Sequence, residues 1–249
     1  MVIKKLLLFI FLILSFLNAQ EVKVVFSYST PPYVFTDGNG IVVTIVKEAL
    51  AYKQHTLKPV FVNIGRSMQL FKDGYVDATS IIKENSGLKS YYSDYFMQYH
   101  NAAFSLKSKH YKITTIEDLI DYSFISFQNA HKYLGERFES VAQKSGSKYS
   151  EVADQKQQVF MLLKGRTDVI VMDRHIFKFY FNELIADGKV ENEIEIDMFE
   201  LFEPTQYSTA FKDKKLRDDF NEGVAYLKNS GRYDEIYEEY STQYFEVKK

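Results

Sequence analysis

The chain has 249 residues, 46 % apolar and 26 % charged, which excludes disordered and fibrous classes and leaves room for one large α/β unit or two small lobes. Lys and Arg number 31 against 33 Asp and Glu, a formal charge of −2, which argues against a nucleic-acid binder with its basic face. With no cysteine there is no disulfide, thiol catalysis, thiolate metal site or cysteine-linked lipid.

Met1 to Lys5 is a short basic stretch, and Leu6 to Leu17 is apolar apart from Ser15. Twelve helical residues rise about 18 Å, too little for a hydrocarbon core of about 30 Å. The segment therefore predicts a secretory signal, cut after Ala19. Without Lys4 and Lys5 the remainder has 29 basic and 33 acidic residues, a net of −4. No second apolar run reaches 18 residues, so a soluble exported protein is expected, without a lipid anchor. Export without cysteine suits a bacterial periplasm.

Strand-like and helix-like patterns then alternate. Val22–Phe26 reads as a strand ended by Thr30-Pro31-Pro32, and Asp37-Gly38-Asn39-Gly40 as a turn. Residues 41–54 show helical spacing, with Ile41, Ile45, Ala49 and Tyr52 on one face. A strand is predicted over 59–64, a helix over 66–73 stopped by Gly74, and a strand over 76–82. The order returns with a strand over 124–127, a helix over 131–144, a helix over 157–164 stopped by Gly165, and a strand over 168–172. Such alternation calls for parallel-rich sheets covered by helices. Leu70 to Ala78 and Leu162 to Val169 also match: an apolar helix end, Gly, two residues, Asp, then a strand. Gly at C′ and a strand-opening Asp account for this locally. Its recurrence suggests two lobes of similar plan.

The tail from Ala210 to Tyr237 resembles the end of family 3 extracellular solute-binding proteins: an Asn in an amphipathic helix, a Lys, then Gly and an aromatic before a short final helix. Pro31-Pro32-Tyr33-Val34-Phe35, Tyr92-Ser93-Asp94-Tyr95-Phe96, Thr115-Ile116-Glu117-Asp118-Leu119 and Asp168 to Asp173 follow the family order. The resemblance implies the two-lobe periplasmic-binding fold (type II): lobe 1 over 20–105 and 207–249, lobe 2 over 106–206, with hinges at 104–107 and 203–206. It further implies a monomer that closes over a small polar ligand, such as an amino acid, and hands it to a membrane-embedded ABC transporter. A receptor-coupled sensor would use the same closure.

Amino-acid binders of this family clamp the ligand α-carboxylate with an Arg shortly before the aromatic-Ser pair. Here no Arg lies between Asp77 and Ala103; Lys89 supplies a point charge at most. Arg66 is open to two readings, a carboxylate partner or a solvated first-turn residue. Thr79 and Ser80, at a strand end, either donate to ligand oxygens or satisfy a loop. Gln128-Asn129-Ala130-His131 joins a strand to a helix whose backbone N–H groups favour an anionic group, with Asn129 as N-cap the structural alternative. Tyr33 and Phe35, with Tyr28, Tyr92 and Tyr95, are the rings in family-like ligand regions. Asp173 is either the acid that receives a ligand ammonium or the N-cap of the next helix. Asp173 without the Arg suggests a cationic amine with an unusual or absent α-carboxylate. Asp173→Asn is then expected to weaken binding while leaving the melting temperature nearly constant.

Catalysis is not expected. The histidines His55, His100, His110, His131 and His175 lack metal-ligand spacing, and no nucleophile-elbow, Walker or dinucleotide-binding motif occurs. No cofactor is implied. A dehydratase acting on prephenate-like acids is the enzymatic alternative on this fold.

Overall fold

The computed structural model describes residues 20–245 except 28, 29, 36, 63 and 192. The predicted signal segment lies outside the described residues. The chain packs as two compact units, one running to Met97 and resuming over Gln206–Tyr240, the other comprising Gln98–Thr205 and, from Ser241, the end of the last helix.

The first unit opens with β1 (Glu21–Ser27), α1 (Ile41–Ala51), β2 (Thr56–Val62), α2 (Ile64–Lys72), β3 (Ala78–Ile82) and β4 (Tyr91–Tyr92), and β5 (Met97–Tyr99) runs across its end. The second contains β6 (Asn101–Leu106), β7 (Phe124–Phe127), α3 (Ala130–Tyr133), α4 (Glu136–Ser145), β8 (Tyr149–Val152), α5 (Gln155–Leu163), β9 (Val169–Asp173), α6 (Arg174–Ala186) and β10 (Ile196–Phe199). The chain returns through β11 (Thr205–Phe211), α7 (Lys214–Ser230) and α8 (Arg232–Phe245).

The two sheets share one plan. In the first the order is β2-β1-β3-β11-β4, with β1 parallel to β2 and β3 and with β11 antiparallel to β3. In the second it is β10-β6-β9-β7-β8, with β7 parallel to β8 and β9 and with β6 antiparallel to β9. Strands β2-β1-β3-β11 thus repeat as β8-β7-β9-β6. The matched segments 70–78 and 162–169 are the helix-to-strand passages α2–β3 and α5–β9, and both glycines take positive φ (84° and 64°). Their aspartates do more than open a strand. Asp77 accepts the N–H of Lys23 at 2.8 Å, and Asp168 that of Ser123 at 2.9 Å, so each ties its strand to the start of the neighbouring parallel strand.

Burial follows from sequence periodicity. Val169–Asp173 is buried throughout, as a central strand covered on both faces must be. Helix α7 buries Leu216, Phe220, Gly223, Val224 and Leu227 at i, i+4, i+7, i+8 and i+11. It approaches α1 so closely that a Cβ on Gly223 would stand 2.0 Å from the Ala49 carbonyl oxygen.

Three predicted boundaries move. The helix over 131–144 splits at Gly135, whose φ of 92° breaks the helix and starts α4 afresh. Strand β2 begins at Thr56 and passes through Pro59, tolerated because β2 is an edge strand. The first passage between units falls at 97/98 instead of within 104–107, since all of β6 pairs inside the second sheet.

Candidate functional site

Parallel strands in α/β sheets present their carboxyl ends to ligands. In the first unit these are the ends of β1, β2 and β3. Thr79 is 1 % and Ser80 6 % exposed, and Thr209 Oγ1 donates to Ser80 Oγ at 3.4 Å. The β3–β11 register slips here: Thr79 faces Ala210 and Ile82 faces Ser208, so Ser80 and Ile81 together oppose Thr209. The slip is made by Ile81 at φ 56°, a left-handed conformation costing a β-branched residue about 1–3 kcal/mol. It re-aims the chain into Lys83, whose Nζ stands 5.4 Å over the Tyr207 ring. Burial lowers the Lys83 pKa from its ordinary value.

The remaining first-unit candidates separate. Tyr33 is 1 % exposed, within the turn before α1. Phe35 is half-buried and stacks on Tyr240 at 6.3 Å. Arg66 and Lys89 are exposed. Tyr92 holds its own loop, its hydroxyl bonding Ser86 Oγ at 2.8 Å and the Leu88 carbonyl at 3.0 Å. Tyr95 is exposed, and Tyr28 lies outside the described residues. The tail pattern proves to be a latch on the aromatic-Ser segment. Asn221 Oδ1 accepts from Asp94 N, Lys228 Nζ donates to Tyr95 O, and Tyr233 OH donates to Phe96 O at 2.6 Å.

In the second unit Asp173 is 3 % exposed and fully engaged by backbone. One carboxylate oxygen accepts from His175 N (2.9 Å) and Ile176 N (3.1 Å), capping α6. The other accepts from His100 N at 2.7 Å, tying α6 to the start of β6. The cap reading of Asp173 is therefore present in the structure, with a second structural bond that sequence did not suggest. Gln98 Nε2 lies 2.8 Å from His100 Nε2, a geometry in which the amide donates to a neutral ring. Burial and Arg174 hold the His100 pKa below its ordinary value, against the opposing pull of Glu200. Next to Asp173, Phe104, Phe177, Phe181, Met198, Arg174 and Lys178 line an open groove of about 430 Å³. His175 lies in its wall, where burial and then Arg174 push its pKa down to about 4.

The helix start after β7 departs most from expectation. Asn129 occupies the cap position at φ 63°, and its side chain makes no capping bond. The backbone N–H groups there already hold an anion belonging to the protein, the carboxylate of Glu151. It accepts from Asn129 N (2.6 Å) and His131 N (3.1 Å), pairs with His131 Nδ1 (2.6 Å) and receives the Tyr149 hydroxyl (2.6 Å). Burial raises the Glu151 pKa, but the bonds from Tyr149 and His131 outweigh it and hold the group below the usual range. Tyr149 is pushed well up by burial and by the same carboxylate. Alternation along β8 offered no signal for Glu151, because its partner segment lies 20 residues upstream. Among the described residues no group of three or more His, Asp or Glu has metal-binding geometry, and no helix is long and apolar enough to cross a membrane.

No curated protein matches the sequence. Solved structures share the fold. An ancestral arginine-binding protein bound to arginine superposes with a TM-score of 0.69 at 20 % identity, covering 88 % of this chain and 97 % of the other. The amino acid ABC transporter substrate-binding protein AbpA from Streptococcus pneumoniae, bound to L-arginine, gives 0.67 at 16 %, covering 91 % and 96 %. The GluR0 ligand-binding core from Nostoc punctiforme, in complex with L-glutamate, gives 0.66 at 15 %, covering 88 % and 98 %. A family profile matches residues 22–243, nearly the whole span of the two units. By that match the chain belongs to the bacterial extracellular solute-binding proteins, family 3.

Proposed function

We propose that this protein is a periplasmic, monomeric binding protein, freed of residues 1–19, that closes over a small amine-bearing solute and delivers it to an ABC permease. The observation carrying the reading is the pair of acids at the strand ends of the second unit. Asp173 ends β9, and Glu151 fills the amide cradle that would otherwise accept a ligand anion. Both carboxylates are already bonded within the unit, so what they decide is that this helix start is closed to a ligand anion, which favours an amine-bearing over an anionic solute. Relatives of the same fold bound to arginine, glutamine or glutamate support an amino acid or a close relative. A sensory role is the second reading, supported by a structurally similar histidine kinase sensor domain (TM-score 0.66, 18 % identity). The ancestral amino-acid-binding protein AncCDT-1, a precursor of cyclohexadienyl dehydratase, also shares the fold at 17 % identity and a TM-score of 0.65. We place the present chain on the binding side of that divide.

Native mass spectrometry of gently purified protein tests the reading. The expected result is a bound small molecule that leaves on denaturation and carries a basic nitrogen. A purely anionic ligand would overturn the amine assignment, and failure of every amino acid and amine to raise the melting temperature would overturn binding itself.

A further inference from the structure

We infer that the groove between α6 and the edge strand β10 is a second binding site, taking an amphipathic carboxylate: one anionic head on an apolar body. The groove lies within the second unit and runs away from its strand ends. At one end is Arg174, next to Asp173, which faces Asn101 in the β6–β9 register. At the other is Ile196, which opposes Leu106. Asn101 and Leu106 stand about 17 Å apart along β6, so the groove follows the flank of the sheet. Two elements turn apolar residues into it. Helix α6 already buries one stripe, Ile176, Tyr180 and Leu184; Arg174, Phe177, Lys178 and Phe181, at i, i+3, i+4 and i+7, form a second that lines the groove. The rings of Phe104, Phe177 and Phe181 stack in series, 4.0 and 5.7 Å between centroids. Alternation puts Ile196 and Met198 on one face of β10, the last strand of its sheet. Met198 is 46 % exposed, and the open space of about 430 Å³ is that of a small-molecule site.

Charge selects the occupant. Among the described residues no acid lines the groove, and its polar side is made by Arg174, His175 and Lys178. Arg174 donates its Nε–H to His175 Nε2 at 3.3 Å, which requires a neutral ring, and it forms no ion pair among the described residues. The terminal nitrogens of its guanidinium therefore remain for a planar anion, the partner that guanidinium geometry favours. The charges bearing on His175 are those of Arg174, His100 and Lys178, all basic. Glu200 bears on His100, and Asp173 accepts backbone N–H groups on both of its oxygens. A cation would be repelled here, and a purely apolar molecule would leave the positive field unanswered. A carboxylate on an apolar body meets both the rings and the charges.

The test titrates the full chain in a calorimeter with decanoate, below the concentration at which it forms micelles, and with decyltrimethylammonium, which pairs a similar chain with the opposite charge. Indole-3-acetate is the aromatic counterpart of decanoate. A carboxylate probe is expected to bind at a single site, at least about tenfold more tightly than the ammonium. Met198→Glu sets an acid in the groove at an exposed position, so it should keep the wild-type melting temperature and lose the site. Arg174→Gln should bring the two charges close to equal affinity. Carboxylate binding left intact in Met198→Glu would overturn the inference, as would equal affinity of wild type for the two charges or no binding of either carboxylate. Recruitment to phosphatidylglycerol vesicles without binding of the free acids would assign the groove to a membrane surface and overturn it as well. The amine-bearing solute proposed above is tested separately, because it should bind Met198→Glu as it binds wild type. A carboxylate that co-purifies with wild type and is absent from Met198→Glu belongs to the groove.

Discussion

Replacing Asp173 with Asn tests how one carboxylate holds the second unit together. Considered only as a helix cap, Asp173 could be exchanged for Asn at almost no cost, because both residues cap well. The structure predicts otherwise. The carboxylate accepts three backbone N–H groups, two at the start of α6 and one, His100 N at 2.7 Å, at the start of β6. An Asn that keeps its oxygen on α6 turns its amide donor toward the His100 N–H, so two donors face each other in a site only 3 % exposed. Losing a bond to a charged group costs about 1.5–3 kcal/mol, and the stranded N–H adds to it, giving about 2–4 kcal/mol in all. Asp173→Ala loses the cap as well and should cost about 1 kcal/mol more. Urea unfolding followed by circular dichroism, with ligand absent, measures both. A midpoint for Asp173→Asn equal to wild type would show that the His100 bond contributes nothing and would return Asp173 to the role of a simple cap. Ligand affinity of the Asn variant is then interpretable only at temperatures where it is fully folded.

Further outcomes follow from other contacts. Helix propensity alone predicts that Gly223→Ala stabilises by about 1 kcal/mol, but the new Cβ would meet the Ala49 carbonyl at 2.0 Å; a net loss of about 1–3 kcal/mol or more is expected in thermal unfolding. Asp168 accepts from Ser123 N, Ser123 Oγ and Tyr111 OH, whereas its counterpart Asp77 accepts from Lys23 N; Asp168→Ala should therefore cost about 2–4 kcal/mol and Asp77→Ala about 1 kcal/mol by denaturant titration. His175 has its folded pKa at about 4, below the ordinary 6.5, so between these values the unfolded chain binds more protons. Stability should fall as pH drops from about 6.5 to about 4, by up to about 3 kcal/mol from this group, with Arg174, Lys178 and His100 facing it. His175→Leu should flatten that part of the profile, and an unchanged slope would place the proton uptake on unfolding elsewhere.

The elements of this protein are written locally. Alternation and helical spacing, punctuated by Gly74 and Gly165, place β1, β3, β7, β9 and the helices between them, because burial of one face is decided by residues two to four positions apart. The repeated Gly-to-Asp passage revealed the doubled plan for the same reason. What sequence could not reach is every relation formed across distance. The boundary at 97/98 depends on which sheet β6 joins, a pairing with residues about 70 and 95 positions away. The split of the helix at Gly135 required the conformation of a single glycine. Among the site residues, types were legible and partners were not. Asp173 was singled out as an acid at a strand end, yet only the fold brings His100 to its second oxygen. An anion-favouring helix start was legible at Asn129 to His131, yet only the fold delivers Glu151 into it. Lys83 carried no motif, and its place over Tyr207 joins residues 124 positions apart. Local spacing decides what a segment becomes; long-range packing decides which charges it meets, because burial and counter-ions are properties of the assembled sheet ends.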